Sequence, residues 1–290
     1  MKIILSFIVF CIVLFFYLHI HYHLKTSNDL EVYTIDNPSK NKLEEICNIR
    51  QPVVFKFDNS ELLEICNLSN FESNYGAFDI KIRDRTKIND DVVYLPFVLR
   101  EAIDVFSDDS EGKLISENNQ DFLEETSVIK KYKYNDSFLR PPMVSKCTYD
   151  FMTGSNNSKT ILKYNLNYRN FYYVTGGKVK IKLIAPHYGK YLYENKDYEH
   201  FEFSTEIDPW DVQDSYKNNF DKIKVLDVEL SEGDIIYIPA YWWFSIKYEE
   251  ISSICVFKYR TYMNTFSILP ELFVGFLQNQ NIKRETVDKL

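Results

Sequence analysis

From Ile3 to Ile20 the chain carries no formal charge and is built almost wholly of Ile, Leu, Val and Phe. As a helix at 1.5 Å per residue such a run reaches about as far as the roughly 30 Å hydrocarbon layer of a bilayer. It is also longer than the core of a cleaved signal peptide, and bulky His19, His21, Tyr22 and His23 follow it where small residues would mark a cleavage site. The expectation is an uncleaved, single-pass signal anchor over residues 1–25, with residues 3–22 meeting the membrane. Lys2 and the amino terminus stand on one side of it, Lys25, Lys40 and Lys42 on the other. The charge rule therefore leaves the side of the folded part open. Three Asn-x-Ser sequons at Asn67, Asn135 and Asn156 are no more than an Asn-rich chain yields by chance. The alternate spacing of the three histidines spreads them around a helix, which suits interfacial filler better than a metal tract.

After the anchor is subtracted, 290 residues at 45% hydrophobic content leave one large domain. A formal charge of -8 without a long basic run excludes a general nucleic-acid binder. Aromatic residues reach 16%, with Tyr 22 and Phe 22 against Gly 8. Together with abundant Ile, Asn and Lys this is the bias of an A+T-rich genome, and a large DNA virus or a protist fits it. Cys11, Cys47, Cys66, Cys147 and Cys255 form no C-x-x-C pair, so a zinc knuckle and a thioredoxin-like site are not written here, and buried thiols are expected rather than disulfides.

Residues 26–44 are polar, contain Asn37-Pro38 and read as a linker. Gln51 to Phe57 is a β-rich run, Ser60 to Asn67 has helical spacing, and Leu95 to Leu123 reads as a helix followed by a solvated acidic turn, Asp108 to Gly112. From Ile161 onward the pattern changes to short alternating runs: Asn170 to Val174, Lys178 to Ile184, Ile223 to Leu230, Asp234 to Pro239 and Ile251 to Tyr259. Strands at turn-punctuated intervals predict a β-sandwich or barrel, so the fold class is mainly β with flanking helices. Residues 263–290 close the chain as an amphipathic helical segment. Its stripe of Leu269, Leu272, Phe273, Phe276 and Leu277 either packs on the domain or pairs with a second copy as a homodimer, and packing within the chain is the default.

The most specific string is Glu232-Gly233-Asp234-Ile235-Ile236-Tyr237-Ile238-Pro239-Ala240-Tyr241-Trp242-Trp243-Phe244-Ser245-Ile246. It resembles the G-D-x-x-x-I-P-x-x-W-W-H pattern of the Jumonji-C (cupin-like) dioxygenases, in particular the asparaginyl hydroxylase that inhibits hypoxia-inducible factor. Asn170-Phe171 through Gly177-Lys178, closed by Leu183-Ile184-Ala185-Pro186, resembles the same family's N-F-x-x-x-x-G-x-K-x-x-x-L-x-x-P block, and Gln51 to Val54 the strand preceding its catalytic core. The resemblance covers residues 45–262 and implies a double-stranded β-helix (jelly-roll, cupin-like) barrel behind the transmembrane helix.

Family chemistry uses a His-x-Asp/Glu pair and a distant His to hold Fe(II), leaving positions open for 2-oxoglutarate and oxygen. Here the resemblance sets Lys163 and Asn165 at the first two positions, or Tyr164 and Leu166 without a gap, and Phe244 at the third. None of these sets supplies the ligands, so no catalytic and no metal-binding residue is expected. His200-Phe201-Glu202 is itself a His-x-Glu string, but the domain holds only His187 and His200 and no histidine follows, so the set cannot be completed. The resemblance also implies a 2-oxoglutarate pocket at Thr160, Asn170 and Lys178, set against the plainer roles of outward strand residue and turn partner. The reading is a membrane-anchored pseudoenzyme that binds or scaffolds a protein partner, with no cofactor. Two alternatives stand beside it: a 2-oxoglutarate-dependent enzyme with an atypical site, needing Fe(II) and 2-oxoglutarate, and a structural membrane protein of a virus or infected cell.

Overall fold

The run Arg169 to Gly176 carries apolar or aromatic side chains at four consecutive positions, Phe171 to Val174, so as a strand it must be covered on both faces. All eight of its residues are buried in the computed structural model, which describes residues 2–85, 94–198 and 200–281. The helices are α1 (Lys2–Leu24), α2 (Lys40–Cys47), α3 (Ser60–Ile65), α4 (Leu68–Tyr75), α5 (Leu99–Asp108), α6 (Gln120–Glu125), α7 (Ile129–Asn135), α8 (Asp214–Phe220), α9 (Tyr262–Ser267) and α10 (Leu269–Asn281). The first strands are β1 (Tyr33–Ile35), β2 (Val53–Lys56), β3 (Asp79–Asp84), β4 (Leu95–Val98), β5 (Leu114–Ser116), β6 (Val144–Gly154), β7 (Leu162–Tyr164) and β8 (Arg169–Gly176). The remainder are β9 (Lys178–Ile184), β10 (Asn195–Asp197), β11 (Glu202–Thr205), β12 (Val225–Ser231), β13 (Asp234–Pro239), β14 (Trp243–Tyr248) and β15 (Ser252–Thr261).

The strands form two sheets, one ordered β1-β2-β13-β8-β15-β6-β5-β3-β4 and one ordered β10-β11-β7-β14-β9-β12. Side-chain alternation decides what lies between them. Tyr172 and Val174 of β8, Ile236 and Ile238 of β13 and Val256 of β15 meet Val179, Ile181 and Leu183 of β9 and Phe244 and Ile246 of β14 in one cluster. The alternate residues Phe171, Tyr173, Ile235, Tyr237, Phe257 and Tyr259 face the other way and pack under α2 to α7. A third cluster, with Leu162, Tyr164, Phe203 and Trp243, lies on the outer face of the smaller sheet. This is the expected mainly β, cupin-like barrel with flanking helices. All five cysteines are free thiols.

Several local expectations need correction. Leu95 to Val98 pairs with β3 as a strand, and the helix begins at Leu99, because Pro96 and the β-branched Val98 suit an edge strand better than a helix interior. The polar residues 26–44 are not a free tether: β1 pairs in parallel with β2, and α2 starts at Lys40 behind its Ser39 cap. Asp109 of the acidic turn is more than hydrated surface, since its carboxylate accepts from the Lys113 and Leu114 amides (2.8 and 2.9 Å) and from the Ser155 hydroxyl (2.6 Å). In the C-terminal segment only part of the stripe packs: Leu272 does, whereas Leu269, Phe273, Phe276 and Leu277 are exposed. Residues 282–290 of that predicted helix lie outside the described residues.

Helix α1 is long and apolar enough to cross a membrane, with none of its apolar window buried in the domain. Its end is nevertheless fixed. The last carbonyls of a helix lack partners within it, and Arg50 supplies them here, donating to Tyr22 O (3.3 Å) and His23 O (3.4 Å). The Arg50 guanidinium also lies over the rings of Tyr22 and Tyr168, 5.2 and 5.0 Å from their centroids. A cation at a helix C-terminus is doubly placed, because it meets both the free carbonyls and the negative end of the dipole.

The covering helices are tied to the large sheet by Asp136, which is fully buried. Its carboxylate accepts from Tyr149 Oη (2.7 Å) and Tyr259 Oη (3.0 Å) and pairs with Arg140 at 2.7 Å. Removing it strands two phenols and a guanidinium. Asp136→Ala is expected to lower unfolding stability by about 3 kcal/mol, the scale for breaking one side of a buried pair, read by urea denaturation of the full chain in detergent. An unchanged midpoint would show that the cluster holds nothing together.

Candidate functional site

Leu162 and Tyr164 of β7 turn outward into the third cluster, so alternation turns Lys163 into the space between the sheets. There Lys163 stands in Cα register with Phe244 of β14 on one side and Ser204 of β11 on the other. Phe244 is fully buried, its ring 5.1 Å from that of Tyr172. The ammonium of Lys163 is 2.5 Å from Glu117 Oε2, on the turn that follows β5. Arg83 of β3 bridges the other side, 3.4 Å from Glu117 Oε1 and 3.2 Å from Glu202 Oε1 of β11. The Tyr94 hydroxyl donates to Glu117 Oε1 (3.3 Å) and accepts from Asn118 Nδ2 (2.8 Å). Strands from both sheets thus deliver charge to one point.

The electrostatics follow from burial. Desolvation alone would push the Glu117 carboxyl up, but Lys163 and then Arg83 outweigh it and hold the pKa at about 2. Burial works against the charge on Lys163 too, yet Glu117 and Glu202 raise its pKa. Arg83 is raised in the same way, burial being overcome by Glu202 and Glu117. Glu117, Lys163 and Arg83 are therefore ionised at neutral pH, and each ion is held by an opposite charge beside it.

Beside this cluster lies a second, looser group. Lys258 of β15 is in register with Asn170 of β8 and is inward by the same alternation that turns Val256 inward. It makes no ion pair among the described residues, and burial lowers its pKa although Asp150 opposes this. Asp150 accepts from the amides of Asn118 (3.0 Å) and Asn119 (2.6 Å), and burial raises its carboxyl. Asn170 donates to Asn167 O (3.2 Å) and Ile238 O (3.1 Å), leaving its buried Oδ1 without a partner among the described residues.

The residues singled out from the sequence do not all converge. Lys163, Phe244 and Asn170 share the barrel interior, and Asn165 reaches it through a bond from Nδ2 to Tyr172 Oη (2.9 Å). Thr160 is buried but occupied with fold: its amide donates to Ile246 O (2.8 Å) and its hydroxyl accepts from Ile246 N (2.9 Å). Lys178 is corrected: it is exposed at the start of β9, where Val179, Ile181 and Leu183 take the inward positions, so alternation points it away from the interior. Tyr164 and Leu166, the ungapped alternative, lie in the outer cluster. His200 is exposed and pairs with Asp197 (2.7 Å), while Glu202 two residues on joins Arg83. Trp242, just before β14, and Trp243, its first residue, enter different clusters. Glu117, Arg83, Asp150 and Lys258 carried no local signal, since isolated charges in polar or alternating stretches read as surface.

The residues at the three expected ligand positions do not fit a transition metal. A phenyl ring has no donor, a protonated ammonium has no lone pair, and Asn165 is at best a weak ligand. Among the described residues there is no group of three or more His, Cys, Asp or Glu placed to hold a metal ion.

The family model described as a cupin-like domain matches residues 38–264. No curated protein matches the chain.

Because the Glu117 pKa is depressed by folding, its contribution is complete above the ordinary value near 4.5 and is lost as pH falls toward about 2. Glu117→Gln should lower unfolding stability at pH 7 on the order of 3 kcal/mol, the scale of that displacement. The gap between parent and variant should close as pH falls from 4.5 toward 2. Urea midpoints across that range test it, and a gap that is constant with pH would refute the ionised cluster.

Proposed function

This chain belongs to the cupin-like domain family, and from that premise we propose that it is a membrane-anchored, non-catalytic member whose barrel binds or scaffolds a protein partner. The observation that carries the reading is the pairing of Lys163 with Phe244 across β7 and β14, with the Lys163 ammonium already engaged by Glu117. In the Jumonji-C likeness those two positions belong to iron ligands, and the ion cluster puts a fixed positive charge where that chemistry needs a metal cation. The finer likeness, to the asparaginyl hydroxylase that inhibits hypoxia-inducible factor, rests on the motif strings and is kept as an account of descent rather than of activity. The anchor rests on α1, whose length and composition suit a bilayer.

A second reading is favoured by one observation. Inward Lys258, in register with Asn170 and without an ion pair among the described residues, suits the carboxylate of a small acid.

The test is metal and co-substrate binding by the full chain in detergent, incubated anaerobically with Fe(II) and desalted. The expectation is less than about 0.1 equivalent of iron by elemental analysis, as the donor set is inadequate, and no saturable heat with 2-oxoglutarate. Heat that is saturable, iron-independent and abolished by Lys258→Ala would replace the first reading by the second. A full equivalent of iron would overturn both. For the anchor, membranes washed with high salt and carbonate should retain the chain, and its release would refute a spanning helix.

A further inference from the structure

Helix α10 is turned the wrong way for a soluble domain. At 100° per residue Leu269, Phe273, Phe276 and Leu277 fall on one arc of roughly 100°, and each is between 44 and 59% exposed. The packed side is narrow: Leu272 joins the third cluster, and Gly275 lies against Tyr198 O and the Phe201 ring, where an added Cβ would come within 3.2 Å of that oxygen. The close approach holds the helix with its apolar arc outward. Phe266 of α9, three residues before Leu269, is 46% exposed as well.

The position of this surface relative to α1 says what covers it. The Phe266 ring packs edge to face on Phe16, centroids 5.5 Å apart. Phe16 lies eight residues before Leu24, hence roughly 12 Å back along the helix from its end, inside the uncharged run. An apolar groove of about 570 Å³ alongside is shared by Leu18 and Tyr22 of α1 with Met143, Tyr262 and Met263 of the domain. Arg50 ties the end of α1 to the domain, so the two cannot separate without losing those bonds. Whatever depth Phe16 reaches, Phe266 reaches too.

We infer that the α9–α10 edge is seated in the bilayer that α1 enters, its aromatic and aliphatic arc among the phospholipid chains of the leaflet on the domain's side. The occupant of the exposed face is lipid, and the domain lies against the membrane instead of hanging from it on a tether. An apolar helical face held at the headgroup and acyl boundary is the arrangement of an interfacial helix. This inference rests on the anchored reading above.

The experiment uses the full chain in phosphatidylcholine vesicles, with lipids brominated either shallow or deep in the acyl chain as quenchers. Phe273→Trp and, separately, Ile8→Trp are compared with the parent chain, whose own tryptophan emission is subtracted. The added emission of Phe273→Trp should fall by about half with the shallow quencher and less with the deep one, as for a side chain near the interface. Ile8→Trp should respond to the deep quencher. If Ile8→Trp is quenched and Phe273→Trp is not, the inference is wrong and the anchor stands. A cross-linked dimer abolished by Phe273→Asp would then identify a second copy as the covering partner. If neither is quenched, the anchored reading fails and takes the inference with it.

Discussion

Strands β13, β8 and β15 lie side by side and are buried on both faces, and the rest of the molecule is arranged to keep them so. A strand that carries Phe171, Tyr172, Tyr173 and Val174 in succession cannot satisfy itself with one covered face. One set of alternate residues calls for the smaller sheet and the other for α2 to α7, so the barrel and its helical cover are two answers to a single demand. The helical side is aromatic, with Tyr132, Tyr149 and Phe257 meeting at centroid distances of 5.2 to 5.9 Å. A buried phenol hydroxyl costs free energy without a partner, and Asp136 supplies one to Tyr149 and Tyr259.

Against that dry core the cluster of Lys163, Glu117, Arg83 and Glu202 stands out as a second kind of organisation. Replacing a buried ionic set by apolar residues of equal volume is often neutral or stabilising, so its presence is not explained by stability. It fixes relative position, since it joins β3, the turn after β5, β7 and β11 across the two sheets. Removal of Glu117 would leave the Lys163 ammonium without its carboxylate in a low-dielectric environment.

Arg50 joins this barrel to the apolar helix. Its carbonyl accepts from Trp242 Nε1 at 3.2 Å, so the double-tryptophan corner that marks the fold also fixes the residue that caps α1. Arg50 holds this position with a left-handed backbone, φ 66°, and with its side chain between Tyr22 and Tyr168. The same corner that belongs to the barrel thus also sets the angle at which the apolar helix α1 leaves the domain.

Much of this was legible in the residue order, for local reasons. The long apolar helix is a matter of length and uniform composition, the β-rich half of alternation, and the corner from Asp234 to Ile246 of a string specific enough to place β13 and β14. What could not be read was which way an exposed-looking residue faces once two sheets close. Lys178 and Lys163 are both strand lysines, yet alternation turns one to solvent and the other inward, and Glu117 has no local mark at all because its ionic partners Arg83 and Lys163 are 34 and 46 residues away. The same holds for α10: its helical period was plain, but which arc would be covered depended on Gly275 meeting Tyr198 and Phe201. The sequence by itself determined the elements, because propensity and period are properties of neighbours along the chain. Only the tertiary structure decided which charges are buried together and which apolar face is left open, because those depend on contacts between segments that the chain order keeps apart.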